Sequence, residues 1–248
     1  MNLNILGVKI DNLNKPEILQ KISEFLQSDK QHQIVTVNPE FIMTAQHDEE
    51  FKGVLNKADL SVADGVGIKF AAKRFGQTLK ERITGFDLIY EIAKIAEQKN
   101  KSIYLLGAKG KVPEKTAKKL LENYPKLKIA GYETGYRHWW WKLSDEKIVG
   151  HIRRSQADIL FVAFHFPRQD KWIYHNLPLM PSVKLAMGVG GSFDYISGHV
   201  KRAPKWMRDI GLEWLYRLIR QPWRLPRIIT AVVKFSWAVI KSTPPHQK

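Results

Sequence analysis

Short apolar runs alternate along this chain with longer stretches in which every third or fourth residue is apolar. The runs are typical of strands that are buried on both faces, and the spaced stretches are typical of amphipathic helices. The predicted strands are residues 33–37, 60–63, 102–106, 128–132, 159–163 and 183–187, and the predicted helices are residues 39–55, 68–75, 86–98, 113–123 and 145–155. Strands that alternate with helices predict an α/β fold, with a Rossmann-like, mostly parallel sheet flanked by helices.

The C-terminal part of the chain differs from the rest in charge and in pattern. The full chain has 40 basic and 24 acidic residues, and residues 198–248 hold 11 of the basic residues but only two of the acidic ones. Residues 228–240 are mostly apolar, but 13 residues make a helix of roughly 20 Å, which is too short to cross a membrane. Trp223 and Trp237, with cations nearby, suit a helix that lies in a membrane interface. We therefore predict a core, residues 1–197, and a basic amphipathic helical appendage, residues 198–248, that binds an anionic membrane surface.

Composition narrows the chemistry further. The absence of cysteine excludes disulfides, thiolate metal sites and a cysteine nucleophile, and it suits a reducing cytoplasm. We expect neither a secretory signal nor a membrane span, because no apolar run reaches the roughly 20 residues that a span needs. The eight histidines show no metal-ligand spacing, and Ser192 has no obvious base partner. The net charge of +16 would suit a nucleic-acid-binding protein, but the excess clusters in the tail rather than along a groove, so we expect no nucleic-acid partner.

A lone carboxylate, Asp64, follows the predicted strand of residues 60–63, with Gly65 and Gly67 directly behind it. A side chain at that point can project into the crevice at the carboxyl edge of a parallel sheet, where open α/β proteins bind ligands. Glycines beside it allow a ligand to approach the backbone closely. Asp64 is therefore the first candidate for a reactive group.

Glycine-rich segments follow three of the predicted strands, at residues 65–67, 107–110 and 188–191. Each one alone fits a tight turn, but the backbone N–H groups of such loops also cradle phosphate groups. Three of them in one sheet favour a phosphorylated nucleotide as ligand, with Gly107 and Gly190 as candidate contacts. Phe70 stands where a dinucleotide fingerprint needs its third glycine, so a nicotinamide-dependent oxidoreductase is an alternative that lacks its signature.

Polar residues follow two further strands of the predicted sheet. Thr36 and Asn38 come at the end of the strand of residues 33–37, and Arg168, Gln169 and Asp170 come after the apolar run that starts at residue 159. Turn and helix-capping chemistry explains such residues without any ligand. Their place at strand ends also lets them face the same crevice as Asp64.

Taken in order and spacing, these segments resemble the WecG/TagA/CpsF glycosyltransferase family, also called glycosyltransferase family 26. The resemblance runs from about residue 6 to about residue 227. It rests on the motifs TVNPE at 36–40, ADGVG at 63–67, RITGFDL at 82–88, LLG at 105–107, PRQD at 167–170, GVGGSFD at 188–194, SGHVKRAP at 197–204 and GLEWLYR at 211–217.

The resemblance implies an enzyme that moves a sugar, N-acetylmannosamine-like, from a UDP-sugar donor to a polyprenyl-diphosphate-linked acceptor with inversion. Such a step belongs to the synthesis of teichoic acid or another cell-surface polysaccharide, at the cytoplasmic face of the cell membrane. Another UDP-hexose donor, such as UDP-glucose, UDP-galactose or a uronic acid, is an alternative within the same family. Whether the protein forms a homo-oligomer is left open.

The resemblance also assigns roles to single residues. It makes Asp64 the general base that deprotonates the acceptor hydroxyl, and it places four polar residues around the sugar and the diphosphate, namely Thr36, Asn38, Arg82 and Gln169. Three arginines of the tail, Arg217, Arg224 and Arg227, would clamp the diphosphate. The chain has no Asp-x-Asp motif of the metal-dependent sugar transferases, so we expect catalysis without a metal or another cofactor.

Two segments depart from the family pattern. His165 opens the segment HFPRQD at 165–170, where many relatives have glycine, and this change bears on the donor sugar pocket. The run YRHWWW at 136–141, which includes Trp139–Trp141, is more aromatic than the family pattern. It is either a loop that contacts the membrane or the acceptor, or a segment that packs on the core.

Overall fold

The computed structural model describes residues 2–134, 136–138, 141–142 and 144–242. In its first half the chain forms β1 (Asn2–Ile5), β2 (Val8–Asp11), α1 (Lys15–Phe25), β3 (His32–Val37), α2 (Pro39–Ala45), α3 (Glu49–Lys57), β4 (Leu60–Ala63), α4 (Val66–Arg74), α5 (Gly85–Gln98), β5 (Ser102–Gly107) and α6 (Val112–Asn123). In its second half it forms β6 (Lys128–Glu133), β7 (Tyr136–His138), β8 (Trp141–Lys142), α7 (Asp145–Ser155), β9 (Ile159–Ala163), α8 (Arg168–Asn176), a 3₁₀ turn (Leu177–Leu179), β10 (Leu185–Gly188) and α9 (Ser192–Ile196).

The tail after α9 is helical. It consists of α10 (Lys205–Asp209), α11 (Glu213–Arg220), a 3₁₀ turn (Pro222–Arg224), α12 (Leu225–Ile228), a π-helical stretch (Ile229–Lys234) and α13 (Phe235–Lys241). None of the helices within the described ranges combines the length and the apolar content that would let it span a membrane.

Six parallel strands form the central sheet, in the order β4-β3-β10-β9-β5-β6. The chain runs outward from β3 to β4 on one side and from β5 to β6 on the other, so the strand order reverses in the middle of the sheet. Ligands bind outside the carboxyl ends of the strands at such a reversal. The predicted α/β fold with a Rossmann-like parallel sheet is confirmed.

The largest buried cluster lies on one face of the sheet, beneath α1, α5, α6 and α9. On the other face, the β1–β2 hairpin and α2–α4 cover one half, and α7 and α8 cover the other half. The strands β3, β4, β9 and β10 therefore have apolar layers on both faces, which explains why they are buried along their full length.

The last helix of the tail belongs to this packing. Phe235 and Val239 of α13 are completely buried, in the same cluster as Phe41 of α2 and Ile68 of α4. The tail is thus fixed to the core by its end as well as by its covalent start. The division into residues 1–197 and 198–248 stays a prediction. The side chains of the aromatic run at 136–141 lie outside the described part of the structure, and so do the backbones of Trp139 and Trp140, so the two interpretations of this run stay open.

Candidate active site

Asp64 lies at the carboxyl edge of the sheet, immediately after β4. Its backbone N–H donates to the Val37 carbonyl oxygen of β3 at 2.8 Å, which holds the residue in line with the sheet. Its Oδ2 accepts a long hydrogen bond, 3.4 Å, from the N–H of Gly85. Gly85 is the first residue of α5, so the carboxylate points at the amino end of a helix, where negative charge is stabilised.

The surroundings of Asp64 make it a better base than an ordinary aspartate. Burial raises the pKa of Asp64 to about 6, Arg217 acts in the opposite sense, and Glu213 adds to the rise. A carboxylate with a pKa near the working pH is ionised at neutral pH and still accepts a proton readily. This combination of burial and nearby charges is typical of a catalytic carboxylate.

The cations that act on Asp64 come from two parts of the chain. Arg217 of α11 donates to Glu213 Oε1 at 2.8 Å, and its guanidinium lies 5.0 Å from the Tyr195 ring centre. Arg82, just before α5, donates from Nη2 to the Arg208 carbonyl oxygen at 3.4 Å. The tail therefore reaches the carboxyl edge of the sheet, and the structure brings Arg217 and Arg82 near Asp64.

Arg202 is a site residue that the sequence reasoning did not select. Its guanidinium stacks 4.1 Å from the Phe86 ring centre, Nη1 donates to Asp87 Oδ1 at 3.0 Å and Nη2 donates to Thr84 Oγ1 at 3.3 Å. Thr84 caps α5, the helix whose amino end faces Asp64. Arg202 thus fastens the start of the tail to that helix end. The motif at 197–204 was the only signal for it in the sequence.

Thr36 and Asn38 lie at the carboxyl end of β3 and contact the helices that begin there. Thr36 is buried in β3 and lies beside the amino end of α5, since a Cβ added at Gly85 would be 3.5 Å from its Oγ1. Asn38 Oδ1 accepts from the Phe41 N–H at 3.1 Å and caps α2. The capping interpretation of Asn38 therefore describes its contact in this structure.

Gln169 and Gly190 contact each other. Gln169 is buried at the start of α8, and its Oε1 accepts from the Gly190 N–H at 2.9 Å. A Cβ at Gly188 would come within 2.6 Å of Oδ1 of Asp170, which is also buried. Burial raises the pKa of Asp170 to about 7. Gln169 therefore holds the glycine-rich loop after β10 by a hydrogen bond, and Asp170 lies beside Gly188 at the end of that strand.

Gly107 ends β5 at a point of close backbone contact. Its φ is +105°, and a Cβ there would lie 2.6 Å from the carbonyl oxygen of Ala163 in the neighbouring strand β9. Only glycine fits this conformation and this spacing. The adjoining loop carries Lys109, which is exposed and close enough to His165 to affect its titration.

Three cations surround His165 beside this loop. Burial lowers the pKa of His165, and Arg227, Arg224 and Lys109 lower it further. Burial likewise lowers the pKa of Arg224, with Arg227 and Arg217 as the neighbouring cations. Within residues 2–134 and 144–242, no hydrogen bond or ion pair of the Arg224 guanidinium is formed. The crevice therefore holds an arginine that lies among other cations, has Asp194 as a nearby carboxylate, and makes no hydrogen bond to an anion within the described residues.

Arg227 differs from Arg224 in having a partner in the core. Its Nε donates to Glu40 Oε1 and its Nη2 donates to Glu40 Oε2, both at 2.9 Å. The three tail arginines named from the sequence thus lie in one region, but Arg227 points its guanidinium at α2. In the described ranges, no group of three or more His, Asp or Glu residues is placed to hold a metal ion.

Comparison with known proteins places the chain among glycosyltransferases. A sequence model of the Glycosyl transferase WecG/TagA/CpsF family matches residues 3–248. The N-acetylglucosaminyldiphosphoundecaprenol N-acetyl-beta-D-mannosaminyltransferase of Bacillus subtilis (strain 168) is 38% identical over 233 residues, 94% of this chain and 85% of the relative. Proteins of the same name from Bacillus spizizenii and Staphylococcus aureus (strain MRSA252) are 36% and 35% identical, over 90% and 91% of this chain and 85% and 87% of the relatives.

Proposed function

Because the chain belongs to the WecG/TagA/CpsF family and is a glycosyltransferase, we propose that it transfers an N-acetylmannosamine-like sugar from a UDP-sugar to a polyprenyl-diphosphate-linked sugar. The names of three relatives give an N-acetyl-beta-D-mannosaminyl group as what they transfer and N-acetylglucosaminyldiphosphoundecaprenol as the acceptor. The step would serve the synthesis of teichoic acid or a related surface polysaccharide. The observation that carries the proposal is the half-buried carboxylate of Asp64, which has a raised pKa and lies near Arg217 and Arg82 at the carboxyl edge of the sheet.

In the proposed reaction the acceptor hydroxyl attacks the anomeric carbon of the donor sugar. Its proton passes to the Asp64 carboxylate while the bond between the anomeric carbon and the UDP oxygen breaks, and UDP leaves. One displacement inverts the configuration at the anomeric carbon and needs one base and no enzyme nucleophile. Asp64 can supply that base, because the nearby Glu213 is ion-paired with Arg217.

Departure of UDP places negative charge on the diphosphate, which must be stabilised in the transition state. Arg217 and Arg224 are the candidates to supply the positive charge that stabilises it, and the backbone N–H groups beside Gly107 and Gly190 are candidate phosphate contacts. The Arg224 guanidinium, which has no hydrogen-bond partner among the residues that the structure describes, supports this assignment most directly. Fixed cations of this kind can stabilise the leaving group in place of a divalent metal, so we propose metal-independent transfer.

The exposed apolar side chains of the tail support a location of the protein at the membrane surface. While Phe235 and Val239 of α13 face the core, large apolar side chains on the rest of the tail are exposed to solvent, Trp223 at 73% and Trp237 at 60%. The other exposed members of this set are Trp206, Ile210, Ile219, Leu225, Ile229, Val233 and Ile240. Single exposed apolar residues are normal on a surface, but nine of them within one basic segment, three of them tryptophans, are typical of a membrane-binding element. We propose that this face docks on the anionic cytoplasmic side of the membrane, where the lipid acceptor resides.

The experiment that tests the proposal is UDP release from a panel of UDP-sugars, with and without polyprenyl-diphosphate-N-acetylglucosamine, in the presence of EDTA. We expect release with UDP-N-acetylmannosamine that requires the acceptor and persists in EDTA. Release with UDP-glucose, UDP-galactose or a UDP-uronic acid alone would identify a different donor. Absence of release with every donor, also after divalent metal is restored, would contradict the proposed reaction with this acceptor.

A further inference from the structure

The ion pair between Arg227 and Glu40 joins the tail to the core in a specific geometry. Both contacts are 2.9 Å, and they use the two parallel donors that an arginine presents to a carboxylate. The guanidinium also lies 5.1 Å from the centre of the Phe166 ring, which stacks on Phe41 at 4.9 Å. Glu40 therefore binds one edge of the Arg227 guanidinium, and the Phe166 ring lies against its face.

The pair is partly shielded from solvent, mainly on the side of Glu40. The Glu40 side chain is 16% exposed, and that of Arg227 is 39% exposed. Exposed pairs contribute little, but a bidentate pair that is partly removed from water fixes the relative position of its two partners. For Arg227 to bind a diphosphate through the same edge, it would first have to leave Glu40.

The position of the pair along the tail gives it a consequence for the crevice. Arg227 lies three residues after Arg224 and on the same helical segment as the buried Phe235. Glu40 lies in the first turn of α2, directly after Pro39, whose ring would meet a Cβ at Gly67 within 2.6 Å. The pair thus fastens the tail to α2 just after Arg224 in the chain, and Arg217 lies seven residues before Arg224.

We propose that Glu40 is a positioning residue for the transfer and that Arg227 serves Glu40 rather than the donor. The Glu40–Arg227 pair sets the tail across the crevice so that Arg224 faces the donor diphosphate. This inference rests on the proposed function, since it concerns the binding of a UDP-sugar.

The test compares four variants with the wild type on the UDP-sugar that the wild type uses: Glu40→Gln, Arg227→Gln, the double variant, and the exchanged pair Glu40→Arg with Arg227→Glu. We expect each single change to raise KM for the UDP-sugar, lowering kcat/KM at least about tenfold. The double variant should be no worse than either single one, because both remove the same pair. The exchanged pair should recover most of the loss.

The opposite pattern would overturn the inference. If Arg227 binds the diphosphate itself, Glu40→Gln leaves kcat/KM unchanged or improves it, and the exchanged pair is the least active variant. A merely structural pair would lower the amount of folded enzyme and leave KM for the UDP-sugar unchanged, which thermal unfolding of each variant makes visible. Glu40→Asp replaces Glu40→Gln if the latter does not fold. An inactive wild type would instead contradict the proposed function.

Discussion

At the scale of single residues, the account depends on how the site tunes Asp64. Burial disfavours the ionised form and raises its pKa to about 6, while Arg217 opposes that rise. The same burial that makes Asp64 a useful base also makes its charge costly for folding. The aspartate was recognisable from the sequence because it follows a strand and precedes glycines, but its pKa was not, since Arg217 and Glu213 arrive from about 150 residues further along the chain.

The pH dependence of the reaction follows from this pKa. Asp64 must be ionised to accept a proton, so kcat/KM should fall below about pH 6 and level off above it. Arg217→Gln removes a cation that lowers the pKa of Asp64, so it should move this acidic limb to higher pH as well as reduce the rate. A pH profile of kcat/KM for both proteins tests this, and an unchanged or lower apparent pKa in the variant would contradict it.

The burial of Asp170 leads to a prediction about the pH dependence of the free energy of unfolding, not about the reaction rate. Its pKa is raised to about 7 by burial, above its ordinary value in the unfolded chain, so the folded state holds a proton that the unfolded state has lost. Stability should therefore decline as the pH rises from about 4 to about 7, by about 1.4 kcal/mol for each unit of pKa difference. Asp170→Asn should flatten this decline in urea unfolding at a series of pH values. An equally steep decline in the variant would show that another group is responsible.

At the scale of elements, the strands were predicted better than the elements with weaker patterns. Five of the six predicted strands coincide with sheet strands to within a residue at either end, because buried parallel strands are continuous apolar runs. The hairpin β1–β2 was missed, since each of its strands has only four residues and alternates buried with less buried positions. The predicted helix over residues 39–55 is two helices, because Asp48 accepts from the Phe51 N–H at 2.9 Å and starts α3 anew.

Two glycines of the loop after β5 allow a matched comparison. A Cβ at Gly107 would meet the Ala163 carbonyl oxygen at 2.6 Å, whereas nothing lies within 4 Å of one at Gly110. Both have positive φ. Gly107→Ala should therefore cost more than about 2 kcal/mol of unfolding free energy and disturb the β5–β9 edge, while Gly110→Ala should cost about 1 kcal/mol. Chemical denaturation of both variants is the measurement, and equal losses would show that the steric contact relaxes freely.

At the scale of the whole molecule, the tail completes the crevice and presents an apolar face. Its basic and amphipathic character was readable from the sequence. The burial of Phe235 and Val239, the fork of Arg227 on Glu40 and the stacking of Arg202 on Phe86 were not, since each depends on a distant segment of the chain. The Arg224 guanidinium makes no hydrogen bond to an anion within the described residues, and its role at the diphosphate stays a prediction.

Two aromatic residues of α13 separate docking on the core from docking on the membrane. Phe235 is completely buried and Trp237 is 60% exposed. Phe235→Ala should lower the free energy of unfolding by about 3–5 kcal/mol. Trp237→Ala should leave stability within about 0.5 kcal/mol of the wild type and weaken sedimentation with vesicles that contain anionic lipid. Unchanged vesicle binding after Trp237→Ala, Ile240→Ala and Trp223→Ala together would contradict the proposed membrane face.

The measurement that tests the central claim most directly is acceptor-dependent UDP release by Asp64→Asn at pH 7.5, in a single turnover with saturating donor. Glu114→Gln, the same change of carboxylate to amide on an exposed face of α6, is the matched control. We expect Asp64→Asn to bind the UDP-sugar with nearly unchanged affinity and to release UDP at least about 100-fold more slowly, because general-base catalysis contributes on that order. Glu114→Gln should match the wild type. If Asp64→Asn released UDP at the rate of the wild type, Asp64 would not be the base.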